Sequence, residues 1–336
     1  MGAANIKDLA QLACVSTSTV SRVLNNSGYV SVDARQRVLD AVQKLDYRPN
    51  MIARGLKSST SRTIGLVVTD ITNPFFAAIA RETEELLSQH DYSLIICNTS
   101  ERPDKELRHL QLLYERKVDG ILLCATGKNN DYVRKLANSD IAVVLIDRDY
   151  DDLKMDIIKD DNVYGAQVLT EELINKGHRH IALIKGHPNS RASAEREQGY
   201  LAALNKRGIA ADPNCIFTAG ASGESTENII SSLLDRTPRP TAILSLNASI
   251  AKRIISTLNT RKVRIPQDIA LASYGLEEFK TLFIPSITCV VQHPERYGEI
   301  SAKILIERLE NKKTEGSDST RKIVLFSPEL FKGDSI

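Results

Sequence analysis

The chain has 336 residues, of which 42% are hydrophobic and 26% are charged, and its formal net charge is +2. This length predicts more than one domain, with a small N-terminal module ahead of a two-lobed body. No apolar run approaches the roughly 18–20 residues needed to cross a bilayer, so we expect no membrane association. The first 13 residues also lack the pattern of a secretory signal peptide, and we therefore expect a cytoplasmic protein.

The cysteines and histidines predict neither disulfides nor a metal site. The five cysteines are widely spaced, form no Cys-x-x-Cys motif and suit buried, reduced thiols. His178 and His180 precede an apolar run and are interpreted as solvated loop residues. We expect no cofactor and no bound metal.

Positive charge is concentrated at the N-terminus. Residues 1–62 contain nine Lys or Arg against four Asp, a local charge of +5, while the remaining 274 residues carry −3. A basic head on an acidic body suits a chain of which only the head approaches phosphates.

The basic segment has the pattern of a helix-turn-helix. Asn5 stands three residues before Asp8, as in a capping box, and an apolar face follows. After a turn of about three residues, Ser16 can cap a second helix, and Ser31 can cap a third that completes the core.

The outward face of the second helix carries hydroxyls, an amide and a guanidinium, which can bond to base edges and phosphates in the major groove. These residues are Thr17, Ser18, Ser21, Arg22 and Asn25. The alternative from pattern alone is a small helical packing module with a polar face.

The same segment resembles the headpiece of the lactose-repressor/galactose-repressor (LacI/GalR) family of transcription regulators. The resemblance rests on Ile6-Lys7-Asp8-Leu9-Ala10, Val15-Ser16-Thr17-Ser18-Thr19-Val20-Ser21-Arg22-Val23-Leu24-Asn25, Gly28-Tyr29-Val30-Ser31 and Tyr47-Arg48-Pro49-Asn50. The chain departs from the family at Cys14, where Gly is usual. That departure predicts either a left-handed backbone at a residue with a side chain or an altered turn.

The resemblance implies roles for the polar headpiece residues. Thr17, Ser18 and Arg22 would read base edges, and Ser16, Ser21 and Asn25 would hold the helix on the phosphates. Residues 50–58 would form a hinge helix only when two chains meet on DNA. In that helix Asn50 would be the cap, Arg54 would lie near the DNA backbone and Leu56 would wedge into the minor groove.

From Thr63 onward, short apolar runs alternate with longer amphipathic segments, which predicts an α/β body of parallel sheets covered by helices. The candidate strands are 63–69, 93–98, 119–125, 142–147, 180–185, 241–246, 269–273 and 288–292. Ligands of such folds bind beyond the carboxyl ends of the strands, where this chain places Asp, Asn, Arg and aromatic residues.

The body is also similar to the LacI/GalR family, whose effector domain has the periplasmic-binding-protein fold. Its markers include Asn73-Pro74-Phe75-Phe76, Lys117-Val118-Asp119-Gly120-Ile121 and Ile265-Pro266-Gln267-Asp268-Ile269. The resemblance implies a headpiece at 1–48, a hinge and linker at 49–61, and an effector-binding and dimerisation domain at 62–336. One lobe would comprise 62–161 with 293–322, and the other 162–292 with 323–336.

The effector expected from this resemblance is a sugar or sugar derivative held in a cleft between the lobes. The resemblance implies that Phe75, Phe76, Asp147, Arg196 and Asn247 line the cleft. Arg191, Tyr274 and Glu277 are further candidates from their positions in the loops.

Two departures from the family affect the choice of effector. Asn247-Ala248 and Tyr274-Gly275 stand where the family commonly has Asn-Asp and Tyr-Asp. The lost carboxylates suggest an anionic effector facing unopposed Arg191, Arg196 and Lys185. Alternatively, Glu277 or Glu278 substitutes for them, or sensing is weakened, or a nucleobase or a protein partner controls the chain.

No dinucleotide-binding, phosphate-binding loop or nucleophile-elbow motif is present, so we do not expect an enzyme. The mechanism expected is a homodimer on a near-palindromic DNA operator. Effector binding would shift the two lobes, change the hinges and thereby change operator affinity.

Overall fold

The computed structural model describes residues 5–24, 27–47, 60–150, 152–219, 225–275, 282–311 and 320–336. The chain divides into two compact units, Met1–Ser61 and Arg62–Ile336. The described part of the first unit contains α1 (Ile6–Leu12), α2 (Thr17–Leu24) and α3 (Val32–Lys44). No helix in the described ranges is both long enough and apolar enough to span a membrane.

The three N-terminal helices begin at the predicted caps. The Asn5 side chain accepts hydrogen bonds from the backbone N–H of Lys7 and Asp8, and the Asp8 carboxylate accepts one from the Asn5 N–H. Ser16 Oγ accepts from Thr19 N at 3.2 Å, and Ser31 Oγ accepts from Ala34 N at 3.3 Å. Fully buried Leu9, Val20 and Val38, one from each helix, meet in the centre of the unit.

The turn between α1 and α2 has a left-handed residue where the family usually has glycine. Cys14 has φ +51°, and its neighbour Ala13 accepts a 3.1 Å hydrogen bond from the Arg37 guanidinium. Of the two open alternatives, the left-handed backbone is therefore the one observed. The prediction that all five cysteines are buried is wrong for Cys14, which is exposed because it lies in a surface turn.

The body contains two six-stranded sheets with helices around them. The first sheet has the order β11-β5-β4-β3-β1-β2 and is entirely parallel. Its strands are β1 (Thr63–Val68), β2 (Ser93–Asn98), β3 (Gly120–Leu123), β4 (Ala142–Ile146), β5 (Asp156–Asp160) and β11 (Ile323–Phe326). The helices of this lobe are α4 (Pro74–Ser88), α5 (Pro103–Glu115), α6 (Asn130–Ala137) and α11 (Pro294–Asn311).

The second sheet has the order β12-β10-β9-β8-β6-β7, and only the pairing of β12 with β10 is antiparallel. Its strands are β6 (Ile181–Lys185), β7 (Ile216–Thr218), β8 (Ala242–Ser245), β9 (Ala270–Tyr274), β10 (Thr288–Val291) and β12 (Glu329–Phe331). The helices of this lobe are α7 (Asn162–Asn175), α8 (Arg191–Lys206), α9 (Thr226–Leu234) and α10 (Ala248–Thr260), with a 3-10 turn at Pro213–Cys215.

Each sheet separates two hydrophobic clusters, which explains the continuous apolar runs of its strands. In β1, Leu66 joins the cluster on one face and Val67 the cluster on the other. In β6, Ile184 joins the cluster on one face of the second sheet and Leu183 the cluster on the other. Strands buried on both faces lose the alternation of polar and apolar residues, as expected for parallel sheets.

The C-terminal tail corrects the predicted lobe boundaries. Residues 323–336 were assigned to the second lobe, but β11 pairs in parallel with β5 in the first sheet, with Ile323 opposite Ile157. Only β12 joins the second sheet. The chain therefore passes between the lobes after β5, after β10 and again between β11 and β12.

Candidate ligand site and DNA-facing helix

A cavity of about 160 Å³ lies between the two lobes, at the carboxyl ends of the strands. The first lobe lines it with Thr69, Asp70, Asn73, Phe75, Phe76, Glu101, Asp147 and Arg148. The second lobe and its connection line it with Gly186, His187, Ser190, Ala192, Ser193, Arg196, Leu246, Asn247, Ala248, Ser249 and Gln292. The structure therefore brings Phe75, Phe76, Asp147, Arg196 and Asn247 together around one space.

The aromatic wall of the cavity is fixed by the start of α4. Asn73 caps this helix by accepting a hydrogen bond from Phe75 N at 3.2 Å, and Pro74 occupies its first turn. The rings of Phe75 and Phe76 meet edge to face with centroids 5.2 Å apart, and both side chains are buried. The two rings serve both as core residues and as a wall of the cavity.

Asp147 is the buried carboxylate of the cavity. It follows β4 with a left-handed φ of +65°, a conformation that costs energy for a residue with a side chain. Its Oδ1 is buried and accepts no hydrogen bond within the described residues; Arg196 Nη2 lies 3.9 Å from this oxygen, and Arg148 Nε lies 3.5 Å from Oδ2 of the same carboxylate. The Ser193 hydroxyl, which also lines the cavity, is likewise buried without a hydrogen-bond partner among the described residues. Two polar groups facing one cavity are thus available to a ligand.

Arg148 and Glu101 form a charge-neutral pair beside Asp147. The guanidinium donates two hydrogen bonds to the carboxylate, at 2.8 and 2.7 Å. Burial alone would raise the pKa of Glu101, but the hydrogen bonds and charge of Arg148 lower it below its usual value. Glu101 therefore stays ionised, and its charge is already matched.

Arg196 is held from several sides within the second lobe. Its Nε donates to Asn162 Oδ1 and its Nη1 to Leu246 O, both at 2.8 Å. The guanidinium lies 3.7 Å from the centre of the Tyr274 ring, within the range of a cation–π contact. The arginine thus connects the start of α7, the end of β8 and the end of β9.

Tyr274 does not line the cavity as predicted, because its ring lies beneath Arg196. It is fully buried, and its hydroxyl donates to Asp160 Oδ2 at 3.4 Å. Gln292, a lining residue that sequence analysis missed, donates to the same oxygen at 2.9 Å. Burial raises the pKa of Asp160, which stands where β5 leads into the second lobe.

The premise of an anionic effector is wrong, because the three cations are not unopposed. Arg191 Nε lies 2.7 Å from Asp149 Oδ1 and outside the cavity lining, and Lys185 Nζ bonds to Glu197 at 2.5 Å. Arg196 is held as described above. Among the described residues that line the cavity, the acidic side chains are Asp70, Glu101 and Asp147, and the basic ones are Arg148, Arg196 and His187.

The two positions that depart from the family lie side by side. A β-carbon built on Gly275 would be 3.6 Å from Ala248 Cβ and 3.0 Å from Gln292 Oε1. Gly275 has φ +74°, a conformation that a residue with a side chain adopts only under strain. Ala248 lines the cavity and Gly275 lies next to it, so neither of these described positions supplies a carboxylate there. Glu277 and Glu278 lie outside the described residues.

The outward face of α2 is accessible. Thr17, Ser18 and Arg22 are exposed and Ser21 is half-buried. Ser16 Oγ lies 2.7 Å from Ser18 Oγ, so these hydroxyls form one polar edge at the start of the helix. Tyr29, which sequence analysis did not single out, is 90% exposed and lines a shallow depression shared with Arg22. Asn25, Asn50, Arg54 and Leu56 lie outside the described residues.

Two family models match the chain. Residues 5–50 match "Bacterial regulatory proteins, lacI family", and residues 61–328 match "Periplasmic binding proteins and sugar binding domain of LacI family". The HTH-type transcriptional repressor PurR of Photobacterium profundum is 35% identical over 97% of each chain. The repressor of the same name from Aliivibrio salmonicida is 33% identical over 99% of each chain.

Solved structures show the same fold. The transcriptional regulator CelR in complex with cellobiose is 26% identical, with a TM-score of 0.72 and 99% of each chain covered. A lac repressor dimer bound to operator and the anti-inducer ONPF has a TM-score of 0.83 at 22% identity, again over 99% of each chain, and shows the fold alone.

A helix-turn-helix unit followed by a two-lobed α/β domain with an internal cavity defines a class of ligand-responsive transcription regulators. The chain belongs to the LacI family of bacterial regulatory proteins. It is a DNA-binding transcriptional repressor of that family.

The position of Arg196 predicts a large effect on stability. Replacement by Met leaves Asn162 Oδ1 and Leu246 O without their donor and removes the cation 3.9 Å from Asp147 Oδ1. Removing one partner of a buried charged pair costs about 3–5 kcal/mol. We expect Arg196→Met to lower the free energy of unfolding by this amount in a denaturant titration. Arg207→Met, at the exposed residue that directly follows the same helix, should change it by less than about 0.5 kcal/mol. Equal effects of the two substitutions would contradict the role given to Arg196.

Proposed function

We propose that this protein represses transcription as a homodimer on a near-palindromic operator, and that a nucleobase bound between the lobes controls its operator affinity. The choice of ligand rests on Asp147 Oδ1 and the Ser193 hydroxyl, two buried groups in the lining of one cavity that have no hydrogen-bond partner among the described residues. A ring N–H can donate to the carboxylate, and a ring nitrogen or carbonyl can meet the hydroxyl. Such a ligand satisfies two groups whose burial without partners is costly.

The size and walls of the cavity support a flat, uncharged ligand. Its volume of about 160 Å³ is close to that of an engineered protein cavity of about 150 Å³ that holds benzene. Phe75, Phe76 and the small side chain of Ala248 offer apolar surface to a ring. The described part of the lining holds no excess of cations that would favour a phosphate or a carboxylate on the ligand.

A sugar, the effector first expected from the family resemblance, has weaker support. Ala248 and Gly275 stand where the family commonly has carboxylates that would accept bonds from sugar hydroxyls. The relatives at 33–35% identity over nearly the whole chain are named PurR, whereas the cellobiose complex is 26% identical. These observations favour the nucleobase, the alternative kept open by the sequence.

The choice of ligand is tested by calorimetric titration of the full chain with purine and pyrimidine bases, neutral monosaccharides and sugar phosphates. We expect saturable binding of a nucleobase only. Asp147→Asn should weaken it about tenfold or more, because a hydrogen bond to a charged group contributes about 1.5–3 kcal/mol. The control is Asp140→Asn, since Asp140 is exposed and stands before the same strand β4.

Each other outcome of this titration argues against the proposal. Binding of a monosaccharide alone would indicate a sugar effector, and binding of a sugar phosphate would indicate an anionic effector. If no compound binds, control by a protein partner or weakened sensing becomes the favoured hypothesis. Equal nucleobase affinity in Asp147→Asn and the native chain would remove Asp147 from the site.

We propose that α2 binds the major groove, with Thr17, Ser18 and Arg22 at base edges and Ser16 and Ser21 at phosphates. Their exposure and the hydroxyl-rich start of the helix support this assignment. Asn25, Asn50, Arg54 and Leu56 keep the roles that the family resemblance implies.

Replacement of Arg22 by Ala tests the DNA-facing side of α2. Loss of a base-contacting arginine costs about 1–3 kcal/mol and relaxes sequence preference at one position. We expect this loss when binding is measured to a duplex selected from random sequences by the native protein. Arg207→Ala, in the other unit, is the matched control and should bind as the native chain does. A loss in the control of the same size, or none in Arg22→Ala, would count against the assignment.

A further inference from the structure

Three potential metal-ligand side chains meet at the amino ends of β6 and β7. The ligand cavity lies at the other, carboxyl ends of the strands. His180 directly precedes β6, and Cys215 directly precedes β7. Asp212 stands before the 3-10 turn that ends at Cys215. Their ligand atoms all lie within 4.8 Å of one another.

The distances between these atoms match the edges of a metal coordination tetrahedron. His180 Nε2 is 3.2 Å from Cys215 Sγ, which is 3.4 Å from Asp212 Oδ2, and Nε2 and Oδ2 are 3.8 Å apart. Tetrahedral Zn²⁺ with its usual bonds to nitrogen, sulfur and oxygen separates these atoms by about 3.3–3.6 Å. Each observed distance is within half an ångström of that range, so little movement is needed to admit the ion.

The surroundings orient two of the three groups. Asp212 Oδ1 accepts a 2.9 Å hydrogen bond from Asn214 N, which leaves Oδ2 for the cluster. Cys215 is buried among the apolar residues of the second lobe, whereas His180 and Asp212 are partly exposed. The cluster therefore has a fixed inner side and an outer side open to solvent, where a water molecule can be the fourth ligand.

Charge in the neighbourhood allows a divalent cation. Arg236 Nη1 lies 4.0 Å from Cys215 Sγ and also bonds to Asn214 O. Its positive charge opposes a metal ion and favours a thiolate, whereas burial and Asp212 raise the pKa of the Cys215 thiol to about 11. An ion that binds must therefore displace the thiol proton. A thiolate and a carboxylate together neutralise the two charges of Zn²⁺.

We propose that His180, Asp212 and Cys215 bind a divalent transition-metal ion, Zn²⁺ before the others, at the amino edge of the second sheet. The nitrogen and sulfur ligands suit Zn²⁺ and disfavour Mg²⁺ and Ca²⁺, which prefer oxygen. The bound ion connects β6 with the turn before β7. From the sequence, His180 is predicted to be a solvated loop residue, because Asp212 and Cys215 are more than 30 positions away.

The proposal is tested by titrating the full chain with Zn²⁺. Metals are first removed with EDTA, and the EDTA is then removed by dialysis. We expect one ion per chain, and Co²⁺ should produce the near-ultraviolet absorption band of a cobalt–thiolate bond. Cys215→Ser should abolish this band, and His180→Gln and Asp212→Asn should each weaken Zn²⁺ binding at least about tenfold. His178→Gln is the matched control, because His178 bonds to Thr241 Oγ1 instead of joining the cluster.

Folding of the variants is monitored by thermal unfolding in EDTA. Asp212→Asn keeps the oxygen that bonds to Asn214 N, so this variant should unfold as the metal-free native chain does and its Zn²⁺ affinity remains interpretable. Absence of saturable Zn²⁺ binding to the native chain would overturn the proposal. Equal affinity in His178→Gln, His180→Gln and Asp212→Asn would overturn it as well, since the ion would then bind elsewhere.

Discussion

The buried guanidinium of Arg196 is the constraint on which the ligand cavity depends. Its hydrogen bonds to Asn162 Oδ1 and Leu246 O and its contact with the Tyr274 ring fix three elements of the second lobe relative to one another. A buried charge without such partners would cost several kcal/mol. Because Arg196 bonds to Asn162 and Leu246, Asp147 Oδ1 has no hydrogen-bond partner in the described part of the chain and is available to a ligand.

This division of contacts explains how ligand binding can change the relation between the lobes. Asp147 belongs to the first lobe, while Ser193 and Asn247 belong to the second, and the three side chains line one cavity. A ligand bonded to both sides favours whichever arrangement of the lobes brings these groups closest. By linkage, that preference would change operator affinity only as far as the ligand binds the two arrangements differently.

Local features were predictable from the sequence and long-range ones were not. The helix caps Asn5, Ser16 and Ser31 and the eight candidate strands are confirmed, because capping residues and doubly buried runs are local signals. The strands β5, β7, β11 and β12 were missed, because they have three to five residues and several lie at sheet edges or have charged ends. Tyr274 beneath Arg196, Arg191 paired outside the cavity, Gln292 in its wall and the His180 cluster depend on residues distant in sequence.

The most direct test of the account measures the affinity of the full chain for the proposed nucleobase effector by calorimetry, with and without saturating operator duplex. The account predicts that operator changes this affinity by the same factor by which the nucleobase changes operator affinity, because coupling between two sites is reciprocal. Nucleobase affinity that is unaffected by the operator would contradict control of DNA binding from the cavity.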